Sequence, residues 1–372
     1  MKKKLHIAIL ALLCLLASCN GTKKEKDHSG LFPIIVDGKW GYKDRSGTVV
    51  INPQFDDAWS FSEGLAMVGI GDKWGYIDKQ GNFIINPQFD DAWSFSEGLA
   101  GVKIGGAWGY ISKKGKIVIK PQFDYAGSFS EGLAWVEIDG KWGYIDKDGK
   151  TVITPQFDDA WYFSEGLARV EIDGKWGYID KNGKFAINPQ FDEAWDFSEG
   201  LASVRIGDWE NGKEGFIDKN GKFIIKPQFD DTQDFAEGLA GVEIGGKWGY
   251  IDKKGNIVIS PQFDCAEDFS EGLAAVEIDD KMGYIDKNGK FVIKPQFDGA
   301  GDFSEGLATI RYGDLTNRKY GFIDKNGNIV IKPQFDRARD FAEGLALVIK
   351  NDEWIYINRK GEQVWPKENI NN

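Results

Sequence analysis

Histidine and cysteine are scarce in this chain of 372 residues, which has two histidines and three cysteines. His6 and His28 both precede the repetitive part of the sequence, which begins near residue 31. That part therefore lacks the side chain that most often serves as a general base. Cys14 and Cys19 also precede it, so Cys265 has no cysteine with which to form a disulfide there. These absences argue against nucleophilic catalysis and against a domain held together by disulfides.

Long hydrophobic runs are absent as well, with one exception at the start of the chain. Three lysines at positions 2–4 precede the apolar run 5–16, which is too short to span a bilayer stably. The next residues, Leu16-Ala17-Ser18-Cys19, resemble a bacterial lipobox. The resemblance implies that Cys19 becomes the first residue of the mature protein and carries three acyl chains, which give stable attachment to a membrane. An ordinary secretory peptide cut near small residues is the alternative.

Residue 20 and the polar segment that follows bear on where the chain resides. By the sorting rules of enterobacterial lipoproteins, Asn20 favours the outer membrane of the bacterial envelope. Residues 20–30 are polar and read as a flexible tether. We therefore expect a signal segment at 1–19, the tether at 20–30, a repeat domain at 31–366 and a short tail at 367–372.

Positive charge is in deficit. The net charge is −12, and removal of the three lysines of the signal segment leaves about −15 for the mature chain. Duplex nucleic acid needs a clustered positive surface, which the sequence does not supply. The acidic balance therefore excludes nucleic acid as an expected partner and favours solubility of the repeat domain.

One four-residue motif recurs at a nearly fixed spacing. Pro-Gln-Phe-Asp begins at residues 53, 87, 121, 155, 189, 227, 261, 295 and 333, in steps of 34 residues with two steps of 38. A 34-residue period also suits helical tetratricopeptide repeats. Each unit, however, contains several glycines, a proline and runs of β-branched and aromatic residues, which favour strands over helices.

Each unit divides into three predicted strands. In the unit that begins near Gly166, the first strand alternates apolar and polar residues up to Ile172, and Asp173-Gly174 suits a two-residue hairpin turn. The second strand covers 175–180, and the third covers 184–187 and ends before Pro189, which cannot donate to a ladder. The linker at 191–200 is predicted to hold one helical turn capped by an aspartate and Gly200.

The text Lys-Trp-Gly-Tyr-Ile-Asp-Lys-x-Gly-Lys, as at 175–184, resembles the WG-repeat family, also called KWG repeats. The resemblance covers the chain from about Leu31 to Trp365 in ten tandem copies. It implies a β-rich repeat architecture and roles in interaction, and it supplies no catalytic residue. We expect no enzyme activity, no cofactor and no metal.

The fold class expected is all-β: a tandem array of about ten three-stranded antiparallel modules. Stacking is required because one module cannot bury its apolar face alone. Both ends of the array supply a whole module, whereas a closed propeller often completes one blade from both termini. The sequence therefore favours an open superhelical array, with a closed propeller-like ring as the alternative.

Several repeated residues receive a structural interpretation. The tryptophan and glycine of Trp-Gly are expected to pack between modules and to allow close backbone approach. The repeated carboxylates, such as Asp56 and Glu63, are seven residues apart and lack the density of a calcium loop, so turn capping and backbone hydrogen bonding are expected of them. No nucleophile elbow, P-loop or dinucleotide fingerprint occurs.

Positions that vary between modules are the better candidates for binding. The position after the linker alanine accepts very different residues, namely Trp59, Trp93, Gly127, Trp161, Trp195, Gln233, Glu267, Gly301 and Arg339. Its four tryptophans are predicted to form a partly exposed aromatic strip. Trp135, on the outward side of a first strand, and Trp209, in one of two four-residue insertions, complete the candidates.

Two function classes follow from these features. The first is a lipid-anchored envelope protein whose array acts as a protein-interaction or scaffold module. The second is a glycan or cell-wall binder, because exposed aromatic faces stack on sugar rings. The expected partners are therefore the membrane, through the lipid, and an envelope protein or glycan.

Overall fold

Short β-strands alternate with tight turns along the whole repeat region, as the period-two pattern and the glycine spacing predict. The computed structural model describes residues 30–314 and 316–365. Within these ranges there is no helix, and hence none that could cross a membrane. The signal segment, Cys19, the tether up to residue 29 and the tail lie outside the described residues.

The described residues form 39 strands. In chain order they are β1 (Leu31–Val36), β2 (Lys39–Asp44), β3 (Val49–Phe55), β4 (Asp57–Ala58), β5 (Ala66–Ile70), β6 (Lys73–Ile77), β7 (Phe83–Phe89), β8 (Asp91–Ala92), β9 (Leu99–Ile104), β10 (Ala107–Ser112), β11 (Ile117–Phe123), β12 (Tyr125–Ala126), β13 (Ala134–Ile138), β14 (Lys141–Ile145), β15 (Thr151–Phe157), β16 (Asp159–Ala160), β17 (Ala168–Ile172), β18 (Lys175–Ile179), β19 (Phe185–Phe191), β20 (Glu193–Ala194), β21 (Ala202–Ile206), β22 (Lys213–Ile217), β23 (Phe223–Phe229), β24 (Asp231–Thr232), β25 (Leu239–Ile244), β26 (Lys247–Asp252), β27 (Ile257–Phe263), β28 (Cys265–Ala266), β29 (Leu273–Ile278), β30 (Lys281–Asp286), β31 (Phe291–Phe297), β32 (Gly299–Ser304), β33 (Leu307–Tyr312), β34 (Lys319–Asp324), β35 (Ile329–Phe335), β36 (Arg337–Ala338), β37 (Leu345–Lys350), β38 (Glu353–Asn358) and β39 (Gln363–Trp365).

These strands pair into ten antiparallel sheets, here called blades 1 to 10 in chain order. Blade 1 has the strands β1, β2 and β3, and each later blade has four consecutive strands, beginning with β4 to β7 in blade 2. The prediction of three strands per module is therefore wrong for nine blades. The fourth strand comes from the linker, where two residues such as Asp159 and Ala160 pair with β17 and cover its edge. The sequence did not indicate this strand, because two residues are too few to show an alternating pattern.

In blades 1 to 9 the third long strand runs through the proline at which it was predicted to end. β19 continues to Phe191, which pairs with Trp176, while Ile187 pairs with Tyr178. The register shift between these pairs is a bulge. Pro189 lies in it, and a Cβ added to Gly177 would lie 2.6 Å from the Pro189 nitrogen. The Trp-Gly glycine therefore serves close backbone approach, as predicted, and the bulge accommodates the missing proline N–H.

The linker does not form the predicted helical turn. Glu199 and Gly200 have φ angles of 50° and 88°, and they form a two-residue turn that joins Ser198 to Leu201 by paired backbone hydrogen bonds. Successive residues with positive φ give a hairpin turn, not a helix. The Glu-Gly dipeptide of each linker therefore forms a hairpin turn.

The hydrophobic core lies between neighbouring blades. Between blades 5 and 6, Trp176 and Tyr178 of β18 pack with Phe197, Val204 and Ile217 of the next blade, and equivalent clusters recur along the chain. Trp176 is buried and Tyr178 almost wholly so. The prediction that the repeated aromatic and aliphatic residues pack between modules is confirmed.

The first and last blades meet, and the chain is a closed ten-bladed propeller. Arg45 of blade 1 forms an ion pair with Glu343, just as Lys113 of blade 3 forms one with Glu63. Phe32 contacts the ring of Tyr356, with centroids 5.5 Å apart. Equivalent ion pairs join seven other neighbouring pairs of blades, from blades 2 and 3 to blades 8 and 9, so the closing interface shares this contact with them.

The prediction of an open superhelical array is therefore wrong, and the alternative of a ring is correct. Whether an array closes depends on the rotation between neighbouring modules, summed over all of them. The sequence of one repeat does not predict the total rotation, because each repeat specifies contacts with its neighbours alone. Two complete terminal modules are compatible with a ring in which each blade is built from one continuous stretch of chain.

Candidate functional site

The edges of consecutive blades approach one another where the short linker strands lie. Ser130 Oγ donates a hydrogen bond to the Phe163 carbonyl oxygen at 2.9 Å, and Ser96 donates in the same way to Phe129 at 2.8 Å. We call this edge the inner rim. It consists of residues 57–62, 91–96, 125–130, 159–164, 193–198, 231–236, 265–270, 299–304 and 337–342.

Two of the four rim tryptophans are exposed. The exposed fraction is 53 % for Trp59 and 40 % for Trp161, whereas Trp93 and Trp195 are half-buried. Trp93 stacks on Trp108 with centroids 5.4 Å apart and planes 8° apart, and its Nε1 donates to the Ala126 carbonyl oxygen at 2.9 Å. Trp93 therefore contributes to packing. The predicted strip reduces to two exposed rings, whereas Trp93 and Trp195 are half-buried.

Trp135 replaces a missing rim tryptophan. Its ring carbons lie 2.3 Å from the point where a Cβ on Gly127 would stand, so the indole fills the space that opens where the rim position is glycine. Trp135 is half-buried, and its ring lies 6.1 Å from that of Tyr162. It belongs to the inner rim in space, although it comes from β13.

Trp161 is held by an arginine of the same blade. The Arg169 guanidinium carbon lies 4.4 Å from the centre of the Trp161 ring and 5.3 Å from that of Trp176. Its Nε lies 3.1 Å from Asp196, and Nη1 donates to the Ala194 carbonyl oxygen at 2.7 Å. Arg169 therefore fixes one face of Trp161 and joins the aromatic part of the rim to the aspartates that follow.

Trp209 lies outside the rim, in the insertion between β21 and β22. It is 67 % exposed and rests on Arg205, whose guanidinium carbon is 4.4 Å from the ring. Arg205 forms a buried ion pair with Glu214, which stands where other blades have the tryptophan of Trp-Gly. The insertion thus covers a buried charge pair, which gives Trp209 a structural role in its own blade.

The next rim position carries a feature that the sequence prediction missed. Its residues change from small or aromatic in one half of the ring to aspartate in the other, namely Ser60, Ser94, Ser128, Tyr162, Asp196, Asp234, Asp268, Asp302 and Asp340. We call the last five the acidic arc. The signal was visible in the aligned repeats, because the position switches once and stays acidic.

Burial and the charges of neighbouring carboxylates raise the pKa values of three aspartates of the arc, Asp234, Asp268 and Asp302. Burial, followed by the charge of Asp196, raises the pKa of Asp234 to about 6. Burial, followed by the charges of Asp234 and Asp302, raises the pKa of Asp268 to about 7, and its Oδ1 is buried without a hydrogen-bond partner among the described residues. The rim is therefore polarised into an aromatic half and an acidic half.

The other repeated carboxylates are structural, as predicted. Glu63 accepts the Gly98 N–H at 3.0 Å and pairs with Lys113 at 2.8 Å. Asp56 accepts the Gly71 N–H at 2.7 Å and forms an ion pair with Lys39. Within the described ranges, no group of three or more His, Cys, Asp or Glu side chains could hold a metal ion.

The acidic arc predicts a specific dependence of stability on pH. The folded pKa of Asp268 lies above its unfolded value, so the folded state loses stability as the pH rises from about 4 to 7. We expect Asp268→Asn to raise the free energy of unfolding by about 1–2 kcal/mol at pH 8 and to leave it unchanged near pH 4. Urea unfolding at the two pH values measures this. An Asn variant that is no more stable than the wild type at pH 8 would show that the arc is well solvated.

Comparison with known proteins agrees with the fold. The family model described as "WG containing repeat" matches residues 40–74, 74–106, 108–142, 142–176, 176–208, 215–248, 248–281, 282–315 and 320–354. No curated protein matches the chain significantly.

Solved structures that resemble the chain are distant in sequence. One titled as a crystal structure of the eukaryotic initiation factor is 12% identical, with a TM-score of 0.54, over 91% of this chain and 100% of that one. Porphyromonas gingivalis dipeptidyl peptidase 4 is 9% identical, with a TM-score of 0.46, over 82% of this chain and 58% of that one. An extracellular domain of a hybrid two-component system of B. thetaiotaomicron is 10% identical, with a TM-score of 0.32, over 90% and 57%.

Identity this low speaks for the fold alone, and only the first of these scores exceeds 0.5. The family model, by contrast, covers most of the chain in nine consecutive matches, each running from the second long strand of one blade to that of the next or close to it. The chain belongs to the WG-repeat family.

Proposed function

We propose that this protein is a binding protein whose inner rim docks another protein. The observation that carries the proposal is the contrast between constant and variable positions. Packing residues such as Tyr178 and Phe197 recur from blade to blade, whereas the two adjacent rim positions vary and divide the ring into an aromatic and an acidic half. Variable surface positions beside constant packing positions are typical of a recognition surface in a repeat protein.

A protein partner is favoured over a glycan by the surroundings of the rim tryptophans. One face of Trp93 is covered by Trp108, and one face of Trp161 by Arg169. The acidic arc adds carboxylates within the same rim. A surface that combines aromatic rings with charge suits a protein partner that offers apolar and basic groups. A glycan remains the second candidate, because Trp59 and Trp161 each keep an exposed ring that a sugar could stack on.

The role we propose is binding and not catalysis. A paired-carboxylate mechanism needs two acids tuned differently across one cleft, whereas the arc repeats one acid at equivalent positions. The repeat region also contains no histidine. Nucleic acid is disfavoured as a partner, because the chain has a net charge of −12 and the rim is acidic.

We further propose that Cys19 anchors the protein in the bacterial outer membrane, with residues 20–30 as the tether. This rests on the lipobox-like Leu16-Ala17-Ser18-Cys19 after a basic and apolar segment. Cell fractionation of a Cys19→Ala variant tests it, since three acyl chains would be lost at once. The variant should leave the membrane fraction, and its retention there would refute the anchor.

The binding proposal is tested with the chain from residue 20 as bait in envelope extracts. We expect the double variant Trp59→Gln/Trp161→Gln to lose at least tenfold in affinity for the captured partner, because both rings are exposed on the rim. Trp209→Gln is the matched control, since that tryptophan is the most exposed of the six candidates and lies off the rim.

The outcomes separate the candidates. Capture of a protein that binds purified bait and is lost in the double variant supports a protein-binding rim. Capture of polysaccharide or peptidoglycan instead supports the glycan alternative. If the double variant folds and binds like the wild type, or if Trp209→Gln weakens binding equally, the rim is not the binding surface.

A further inference from the structure

One buried position at the closing interface differs from its equivalents in every other blade. After the Tyr or Phe of the second long strand, nine blades have isoleucine, namely Ile77, Ile111, Ile145, Ile179, Ile217, Ile251, Ile285, Ile323 and Ile357. Blade 1 has Lys43 there. Its exposed fraction is 0 %, the same as that of Ile77 and Ile111. A lysine thus occupies a core position at the one interface that closes the ring.

The Lys43 amine has little to compensate its burial. Nζ has no hydrogen-bond partner among the described residues and lies 4.4 Å from the centre of the Tyr356 ring of blade 10. Burial lowers the pKa of Lys43 to about 7, against the opposing influence of Asp44. A buried ammonium without a partner is costly, so the amine gives up its proton or the interface opens.

Among the residues whose side chains the structure describes, the cluster at the same interface has the fewest fully buried members. Its buried side chains are Ile34, Leu345, Tyr356 and Val364, whereas the cluster between blades 2 and 3 has ten. Partly buried Phe32, Val36, Val49 and Leu347 pack against this cluster, and the ion pair Arg45–Glu343 and the packing of Gly47 against Val364 add to the closing contacts. Fewer fully buried apolar groups among the described residues, together with the buried amine, favour separation at this interface.

We propose that the interface between blades 10 and 1 is the opening point of the ring, and that opening is coupled to proton uptake by the Lys43 amine. In the closed ring the amine is neutral and buried. In the open ring it is solvated and binds a proton. The propeller therefore opens at one defined interface. The equilibrium constant for opening depends on pH through a single residue.

The sign of this coupling follows from the two states. The pKa of Lys43 is about 7 in the closed ring and near 10.5 when solvated. Opening is least favourable above about pH 10.5 and becomes about tenfold more favourable with each pH unit of fall towards 7, below which it levels off. The other charged or titratable groups at the interface are Asp44, Arg45, Arg339, Glu343 and Tyr356. Burial raises the pKa of Tyr356, and hydrogen bonds lower that of Asp44, so neither titrates in this window.

Thiol labelling of matched buried leucines tests the proposal. Leu345→Cys reports on the closing interface, and Leu133→Cys is the equivalent position between blades 4 and 5, both in the full chain with Cys14, Cys19 and Cys265 replaced by serine. We expect the cysteine at 345 to react at least a hundredfold faster than that at 133 at pH 7, with the ratio falling towards one as the pH approaches 10. The ratio cancels the reactivity of the thiol itself.

Replacement of Lys43 identifies the cause. In a Lys43→Ile background, borrowed from the other blades, the ratio should fall at pH 7 and should no longer change with pH. Lys43→Met serves as a second background if the isoleucine packs poorly. A ratio near one in the wild type, or a ratio that persists unchanged in both backgrounds, would overturn the proposal.

Discussion

Replacing Gly75 by alanine lowers the free energy of unfolding by about 3 kcal/mol. A Cβ at this position would lie 2.6 Å from the Ile85 carbonyl oxygen and 2.6 Å from the Pro87 nitrogen. Both atoms belong to the backbone of the neighbouring strand, so neither can move without breaking the bulge. Urea unfolding of the variant measures the loss.

Gly69→Ala in the same blade is the control. Its nearest neighbour would be the Asp57 Cβ at 3.4 Å, an ordinary contact. Because alanine has fewer accessible states in the unfolded chain, this variant should be as stable as the wild type or slightly more so. Equal losses at the two glycines would show that the close approach at the bulge is not what the Trp-Gly glycine provides.

Trp176→Ala lowers the free energy of unfolding by about 3–5 kcal/mol, the second large effect that we expect. The ring is 7 % exposed and packs with the core between blades 5 and 6. Because contacts in a repeat protein are between nearest neighbours, hydrogen exchange should increase in these two blades and little elsewhere.

Trp209→Ala is the matched substitution at an exposed ring. This tryptophan is 67 % exposed and contacts Arg205 through its face, so its removal should cost less than about 1 kcal/mol. Equal effects of the two substitutions, or a small effect at Trp176, would contradict the assignment of the Trp-Gly tryptophan to the inter-blade core.

Local structure was largely predictable from the sequence. The alternation in Ala168–Ile172 and the turn at Asp173-Gly174 identify the first hairpin, because period-two patterning and turn glycines act within a few residues. Pro189 misled the prediction, since a proline can remain in a strand at a bulge where no N–H is required. The Glu-Gly turn was taken for a helix end because Glu rarely adopts positive φ.

Long-range features were less predictable. Ring closure depends on the rotation between neighbouring blades, summed over ten blades. The repeat sequence does not predict that angle. The rim tryptophans were found because their position tolerates other residues, but that tolerance could not show that Trp93 would stack on Trp108 while Trp59 stays exposed. The acidic arc was predictable from the sequence. Alignment of the repeats shows that this rim position changes once to aspartate and remains aspartate in the later blades.

Closure of the ring can be measured as a distance between spin labels in equivalent exposed turns of two blades. Asp37 of blade 1 and Asn351 of blade 10 occupy the turn between the first two long strands of their blades, as Asp139 and Asp173 do in blades 4 and 5. In a closed ring, the pair 37–351 gives the same narrow distance as the pair 139–173, because each spans one blade. An open array would instead give a much longer or broad distance for 37–351 while that for 139–173 stays short, and this result would contradict the ten-bladed propeller.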